Sequence, residues 1–493
     1  PVARGEGALS RRNWVLAAAL IAPIVLRSLW VDQGAYARGL PVSTPDYASF
    51  RQATPPLGSP VSTASDPSPT YGLVLLDWAH QNQFAVPELG SLASALANRG
   101  ARVEVASLSY DFSALPLEER LKYADAYLVA APTLEFTPAE VRAVARFVER
   151  GGRLVVISDP TRGSTAFDPF GFYLGPSFGD VAVANGLLAP HGLVFSDDYL
   201  YNVHRNEGNF RNVFLESATE DPITAGVDSA AFYGARSITS LRGTVLLVGD
   251  DYTFSSKTDR GGELAAAATD PSGNVLALGD LTFLMPPYDE VASNARLVEN
   301  VAGFLAGGGR LRNMEDFPYL FARPIAIVPT DDFPLTADHL RSLAAAQIVL
   351  GSLGQDVSLA LSGAGATDQV VFALFDNPDA IRPYLDGIPL VLPSESQDGK
   401  LTIPGLPPFD PTGVGVLLVS HNAGGTTLIV LAQNSADLEA TFNLVTNRDL
   451  SGCFVHGAAA ICQVGAGGIS GFTFNDTGLT DFGGDLFLPT PSP

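Results

Sequence analysis

From Tyr71 to Ser158 the chain alternates short apolar runs with amphipathic ones, and few folds accept that alternation. Tyr71-Gly-Leu-Val-Leu-Leu76 reads as a buried strand, Pro87 to Asn98 as a helix stopped by Arg99-Gly100, and Ala101-Arg-Val-Glu-Val-Ala106 as a second strand. Ala126 to Ala131 and Arg153 to Ser158 are further strands. Between them lies a helix from Pro138 to Arg150, capped by Thr137 and ended by Gly151-Gly152. A βαβαβ order predicts a parallel sheet with right-handed crossovers. After Asp159 the pattern loosens, then returns as strands at 243–250 and 274–280. A helix from Asn294 to Leu305 closes the unit before Gly307-Gly-Gly309.

A second, smaller α/β unit follows. Its predicted strands are 324–328, 357–361, 369–374, 414–420 and 426–432, and its helices run from Thr336 to Leu350, Pro378 to Tyr384 and Asp437 to Val445. The expected domains are therefore 71–310 and 311–493. A Pro/Ser/Thr-rich stalk over 40–70 precedes them, and Leu488-Pro-Thr-Pro-Ser-Pro493 is a low-complexity tail.

Residues 1–39 read as a membrane anchor. Arg4, Arg11 and Arg12 precede the apolar run Trp14 to Leu26, and Arg27 then leads into Ser28-Leu-Trp-Val31. A helix from Trp14 to Trp30 rises about 24 Å at about 1.5 Å per residue, slightly short of a hydrocarbon core of about 30 Å. An indole stands at each end and Arg27 is able to snorkel, so residues 14–31 are expected to meet membrane lipid. The positive flank predicts a cytoplasmic N-terminus and an extracytoplasmic body. A cleaved signal peptide is the alternative, since Ala35-Tyr36-Ala37 offers a small-x-small site. Export suits the cysteine count. Cys453 and Cys462 flank a Gly-Ala turn and are expected to pair as a disulfide across a hairpin.

Composition narrows the partners. With 29 basic and 52 acidic residues the net charge is −23, and the lysines are Lys122, Lys257 and Lys400, so nucleic acid is not expected as a partner. The most suggestive cluster is Asp77-Trp-Ala-His80-Gln-Asn82, just past the first strand, where open α/β sheets place ligands. Asp77, His80 and Asn82 would contact a ligand there, or would cap the helix and fix the loop. Asp159, Asp250, Asp251 and Asp280 also follow predicted strands. They suit a divalent cation through oxygen ligands, or plain capping. His191, His204, His339 and His421 are scattered without ligand spacing. No Gly-x-Ser-x-Gly or Gly-x-Cys-x-Gly elbow follows a predicted strand and no phosphate loop is present, so no catalytic residue and no cofactor is assigned.

Residues 71–309 resemble the extracytoplasmic, class I glutamine-amidotransferase-like domain of membrane-anchored proteins related to auxiliary components of gliding-motility-type ABC transporters. The residues that carry the resemblance begin with Asp77-x-x-His80-x-Asn82-x-Phe84 and Glu88-Leu89, then Tyr127 to Thr133, Thr137-Pro-x-Glu140 and Phe147 to Leu154. Val275 to Phe283, Asn294-Ala-Arg and Asn300 complete the set. The resemblance implies a flavodoxin-like module without the amidotransferase cysteine, and association with other subunits of a membrane or envelope complex. No second apolar span follows near the C-terminus, which departs from a transporter component. The leading expectation is a noncatalytic binding or scaffolding subunit. The alternatives are an envelope hydrolase or transferase acting at Asp77 and His80, and a structural subunit of a surface layer or filament.

Overall fold

Strands apolar along their whole length cannot face water, and here they put the first sheet in the middle of a three-layer body. The computed structural model describes residues 11–31, 72–106, 115–162, 180–258, 260–307, 310–328, 336–353, 356–359, 368–385, 388–403, 406–422, 425–465, 472–473 and 481–482. The expected stalk and the Pro-rich tail lie outside these residues. The chain divides between Thr54 and Pro55 into two units. In the first, α1 (Arg11–Val31) carries Pro23 inside it.

In the second unit the order is β1 (Leu73–Asp77), α2 (Gly90–Asn98), β2 (Arg102–Ala106), α3 (Leu117–Tyr123), β3 (Ala126–Ala130), α4 (Pro138–Glu149), β4 (Arg153–Ile157) and α5 (Val181–Leu188). Short strands follow: β5 (Leu193–Phe195), β6 (Leu200–Asn202), β7 (Asn212–Ser217), β8 (Ser229–Tyr233), β9 (Ile238–Ser240), β10 (Val245–Gly249), β11 (Thr253–Ser255), β12 (Ala265–Thr269) and β13 (Val275–Leu278). The helix α6 (Asn294–Ala306) closes this half.

Among the described residues the first sheet runs β2-β1-β3-β4-β13-β12-β10-β7-β8. Its first five strands are parallel and have the flavodoxin-like order. The last four join by antiparallel pairing. Val74, Leu128 and Val155 meet α2 and α6 through Leu92, Leu96, Leu297 and Val301 on one face. On the other, Leu75, Val129 and Val156 pack with α3, α4 and α5 through Leu121, Val144, Phe147 and Leu187. The end of α4 shows how tightly the layers fit: a Cβ at Gly152 would lie 2.4 Å from the Phe147 ring, so only glycine passes there.

The second module contains β14 (Ile325–Val328), α7 (Ala337–Gly351), β15 (Val357–Leu359), β16 (Asp368–Leu374), α8 (Pro378–Ile381), β17 (Val414–Asn422), β18 (Gly425–Ala432), α9 (Ser435–Asn447), β19 (Cys453–His456) and β20 (Ala459–Gln463). Its sheet order is β15-β14-β16-β18-β17-β20-β19. The helices α7 and α9 cover one face through Leu343, Leu350, Leu438 and Phe442. The irregular stretch around Leu392, Leu401, Ile403 and Phe409 covers the other. Cys453 and Cys462 stand opposite each other in the β19–β20 ladder and are disulfide-bonded, their Cα atoms 4.2 Å apart.

Three arginines hold the two modules together. The Arg310 guanidinium donates to the carbonyls of Leu121 and Ala124, pairs with the buried Asp316 and lies 4.9 Å from the Phe147 ring centroid. Burial pushes it down to about 10 against the pull of Asp316. Arg312 bridges Asp125 and the carbonyls of Tyr123 and Tyr319, and Arg150 reaches across to Glu315 and Asp316. Replacing Arg310 would strand a buried carboxylate and two carbonyls. We expect Arg310→Ala to lower the urea-unfolding free energy by about 3 kcal/mol, or to split one unfolding transition into two.

Candidate functional site

The carboxyl ends of β1, β3, β4 and β13 form one edge of the first sheet. At β1 the last residue, Asp77, is fully buried, so its carboxylate has to be satisfied locally. His80 Nδ1 lies 3.0 Å from both of its oxygens, the Asn82 amide donates to Oδ2, and the Ala79 N–H donates to Oδ1 at 3.3 Å. The Asn82 side-chain oxygen then accepts from the Ala130 N–H at 2.8 Å, which ties the loop to β3. The turn needs a left-handed residue, and Gln81 supplies it at φ 50°.

His80 is closed in from the outside as well. Its ring stacks on Phe136 with centroids 3.6 Å apart, Nε2 is 3.6 Å from Glu140 Oε1, and the residue is 4% exposed. Its carbonyl accepts from the N–H groups of Thr133 and Leu134. Glu140 itself belongs to the α4 capping box, where Thr137 Oγ1 accepts from the Glu140 N–H and the Glu140 carboxylate accepts from the Thr137 N–H. Tyr127, wholly buried on β3, is held well above the usual phenol range by burial and by the neighbouring Asp77 carboxylate, so its hydroxyl stays neutral.

Just past β3, Ala131 has φ 49°, a strained left-handed backbone for a residue with a side chain. Its methyl group is buried, and a loop over 132–137 separates it from α4.

A second group of carboxylates sits at β4 and β13. Asp159 and Asp280 are both fully buried. Asp159 accepts from the N–H groups of Thr161 and Leu281 and from the Thr161 hydroxyl. Asp280 accepts from Tyr233, Thr282 and Phe283. Burial, and then the nearby Asp159, push Asp280 up to about 8 despite those donors. Asp180 takes the Asp159 N–H and pairs with Arg236. Among the described residues no group of three or more His, Cys, Asp or Glu side chains is placed to hold a metal ion.

The structure thus joins Asp77, His80 and Asn82 in one network and sets Asp280 beside Asp159. Asp250 belongs to neither: it accepts from Asn202, Tyr252 and Thr253 and fixes the turn into β11. Tyr127, Phe136 and Ala131 escaped sequence reasoning as site residues, because an apolar run hides a buried phenol and a left-handed alanine has no local signature. Two cavities lie elsewhere. One of about 800 Å³ at the module junction is lined by Arg102, Tyr123, Asp125, Arg312 and Tyr319, and one of about 420 Å³ by Ser91, Asp289 and Glu299.

Residues 89–302 match a family described as Domain of unknown function (DUF4350). No curated protein matches the chain. Among solved structures it is similar to the mmIFT52 N-terminal domain, at 15% identity over 48% of this chain and 98% of that one, with a TM-score of 0.37. A ThuA-like protein from Bacteroides uniformis ATCC 8492 is 16% identical over 50% and 95%, with a TM-score of 0.29. The glutaminase domain of Trypanosoma brucei CTPS with bound acivicin is 11% identical over 49% and 96%, with a TM-score of 0.25.

The buried acid pair makes stability depend on pH. Because Asp280 titrates near 8 when folded and near 4 when unfolded, the folded state holds the extra proton between those values, and stability falls as pH rises through that window. Asp280→Asn removes the titration. Urea titrations at pH 5 and pH 8 should show wild type losing stability relative to Asp280→Asn, by up to about 1.4 kcal/mol per pH unit.

Proposed function

We propose that this chain is a noncatalytic, membrane-anchored extracytoplasmic subunit that binds or scaffolds other proteins of a cell-envelope or membrane complex, with its N-terminus cytoplasmic. A relation to auxiliary components of gliding-motility-type ABC transporters belongs to this proposal. The observation that carries the noncatalytic half is the network after β1: Asp77, His80 and Asn82 are buried and spend their hydrogen bonds on one another, on the loop and on β3.

What supports anchoring is α1, whose Trp14, Leu16, Leu20, Ile21, Ile24 and Leu26 are exposed around the helix, a surface that calls for lipid or for apolar partner helices. Among the described residues no helix is long and apolar enough to cross a membrane. The side chain of Trp30, the expected second anchor, lies outside the described residues, and Arg27 is exposed. The second reading, a hydrolase or transferase at this edge, is favoured by the carboxylate–imidazole pair itself.

Two measurements test the proposal. His80→Ala should cost about 1–3 kcal/mol of stability, since it strips a buried partner from Asp77, and should leave ester and amide turnover unchanged. Turnover by the wild type that disappears in a folded His80→Ala variant would install the enzyme reading instead. The full chain should float with liposomes in a density gradient, and Leu20→Asp with Ile24→Asp should cut the floating fraction severalfold. Flotation that ignores both substitutions would remove the anchor.

A further inference from the structure

We propose that the aromatic surface formed by Tyr199, Tyr201, Phe210 and Phe254 binds a neutral polysaccharide. The strands β6 and β11 make a two-stranded antiparallel sheet in which Phe254 lies opposite Tyr201, while Leu200, Asn202, Thr253 and Ser255 are buried. The Tyr201 and Phe254 rings are 5.8 Å apart and 29° from parallel. Tyr201 also meets Phe210 nearly edge-on at 6.3 Å and Tyr199 at 6.5 Å. The Arg211 guanidinium lies 4.4 Å from the Tyr199 centroid and 5.5 Å from that of Phe210. None of the four rings is buried, and Phe210 is 45% exposed.

Buried polar groups hold these rings in place. The Asn202 amide donates to Asp250 and Thr253, its oxygen accepts from the His204 and Arg205 N–H groups, and its own N–H donates to the Phe210 carbonyl. Ser256 is hydrogen-bonded to both main-chain groups of Tyr199. Gly261 lets the chain run against Phe254, where any Cβ would come within 2.5 Å of the ring. Phe210 is exposed and the other three rings are partly buried, so the cluster forgoes some of the burial that such side chains normally contribute. Rings already fixed lose little freedom on contact, and that is what a binding surface requires.

Charge selects the ligand. Asp197 pairs with Lys257 and Arg205 with Glu216, Arg211 lies on the rings, and the chain's net charge of −23 repels polyanions. A neutral sugar chain sets the C–H faces of its rings against aromatic rings and its hydroxyls against polar groups such as Asn209 and Arg211. This deepens the binding role proposed above and rests on that reading, yet it uses no residue of α1 or of the Asp77 edge.

The test is affinity electrophoresis of the full chain in nonionic detergent, through native gels containing hydroxyethyl cellulose, soluble starch, laminarin or heparin. At least one of the three neutral glycans should retard the protein and heparin should not. Tyr201→Ala and Phe210→Ala should each weaken the retardation about tenfold or more, with Leu340→Ala as a distant control. Phe210→Ala decides the matter if Tyr201→Ala fails to fold. The proposal fails if none of the neutral glycans retards the chain, if Phe210→Ala migrates like wild type, or if heparin alone gives a shift. It fails equally if no glycan binds and Phe210→Ala instead breaks a complex with an envelope protein. Any of these failures leaves the flotation and His80 results untouched, so the two proposals fall separately.

Discussion

A carboxylate buried at the end of a parallel strand has to be satisfied by whatever main chain comes next, and at this sheet edge that need shapes the loops. Asp77 collects an imidazole, an amide and an N–H from the residues that follow it. Asp159 and Asp280 collect N–H groups from the turns after β4 and β13, and each reaches into a neighbouring segment as well. The edge that in related architectures is left open for ligands is here closed by its own side chains.

Much of the fold was legible because burial on both faces produces uninterrupted apolar strands, and β1, β3 and β4 stand out for that reason, as do β16, β17 and β18 in the second module. Of the antiparallel extension only β10 was, within the strand expected at 243–250. The strand β12 is Ala265-Ala-Ala-Ala-Thr269, a run whose intrinsic preference is helical, and only its place between β10 and β13 makes it a strand. The strands β7 and β8 are short and polar-flanked, and their pairing is set by tertiary context. At the site, the sequence picked out Asp77, His80 and Asn82 because they cluster within six residues. It could not show that Phe136 and Glu140, more than fifty residues away, cover the imidazole. Asp250 was picked for its strand-end position, which says where a carboxylate sits but not which loop it faces.

The disulfide serves an edge of the second sheet. Among the described residues β19 is the outermost strand of the second sheet, paired on one side only, and the covalent bond to β20 fastens that edge. The first sheet has no such fastening. Its outer strand β2 exposes Val103 and Val105, with one neighbour in β1.

The junction arginines grip mostly main-chain carbonyls: Leu121 and Ala124 for Arg310, Tyr123 and Tyr319 for Arg312. A carbonyl is the same whatever side chain it carries. Over evolutionary time the helix α3 can therefore change its residues freely on the outward side without disturbing the joint, provided its backbone path is kept. The arginines have no such latitude, because a lysine has no planar fork to reach two carbonyls and a carboxylate together. Drift in the first module and constancy at 310 and 312 is the pattern of substitution that this joint would leave among descendants.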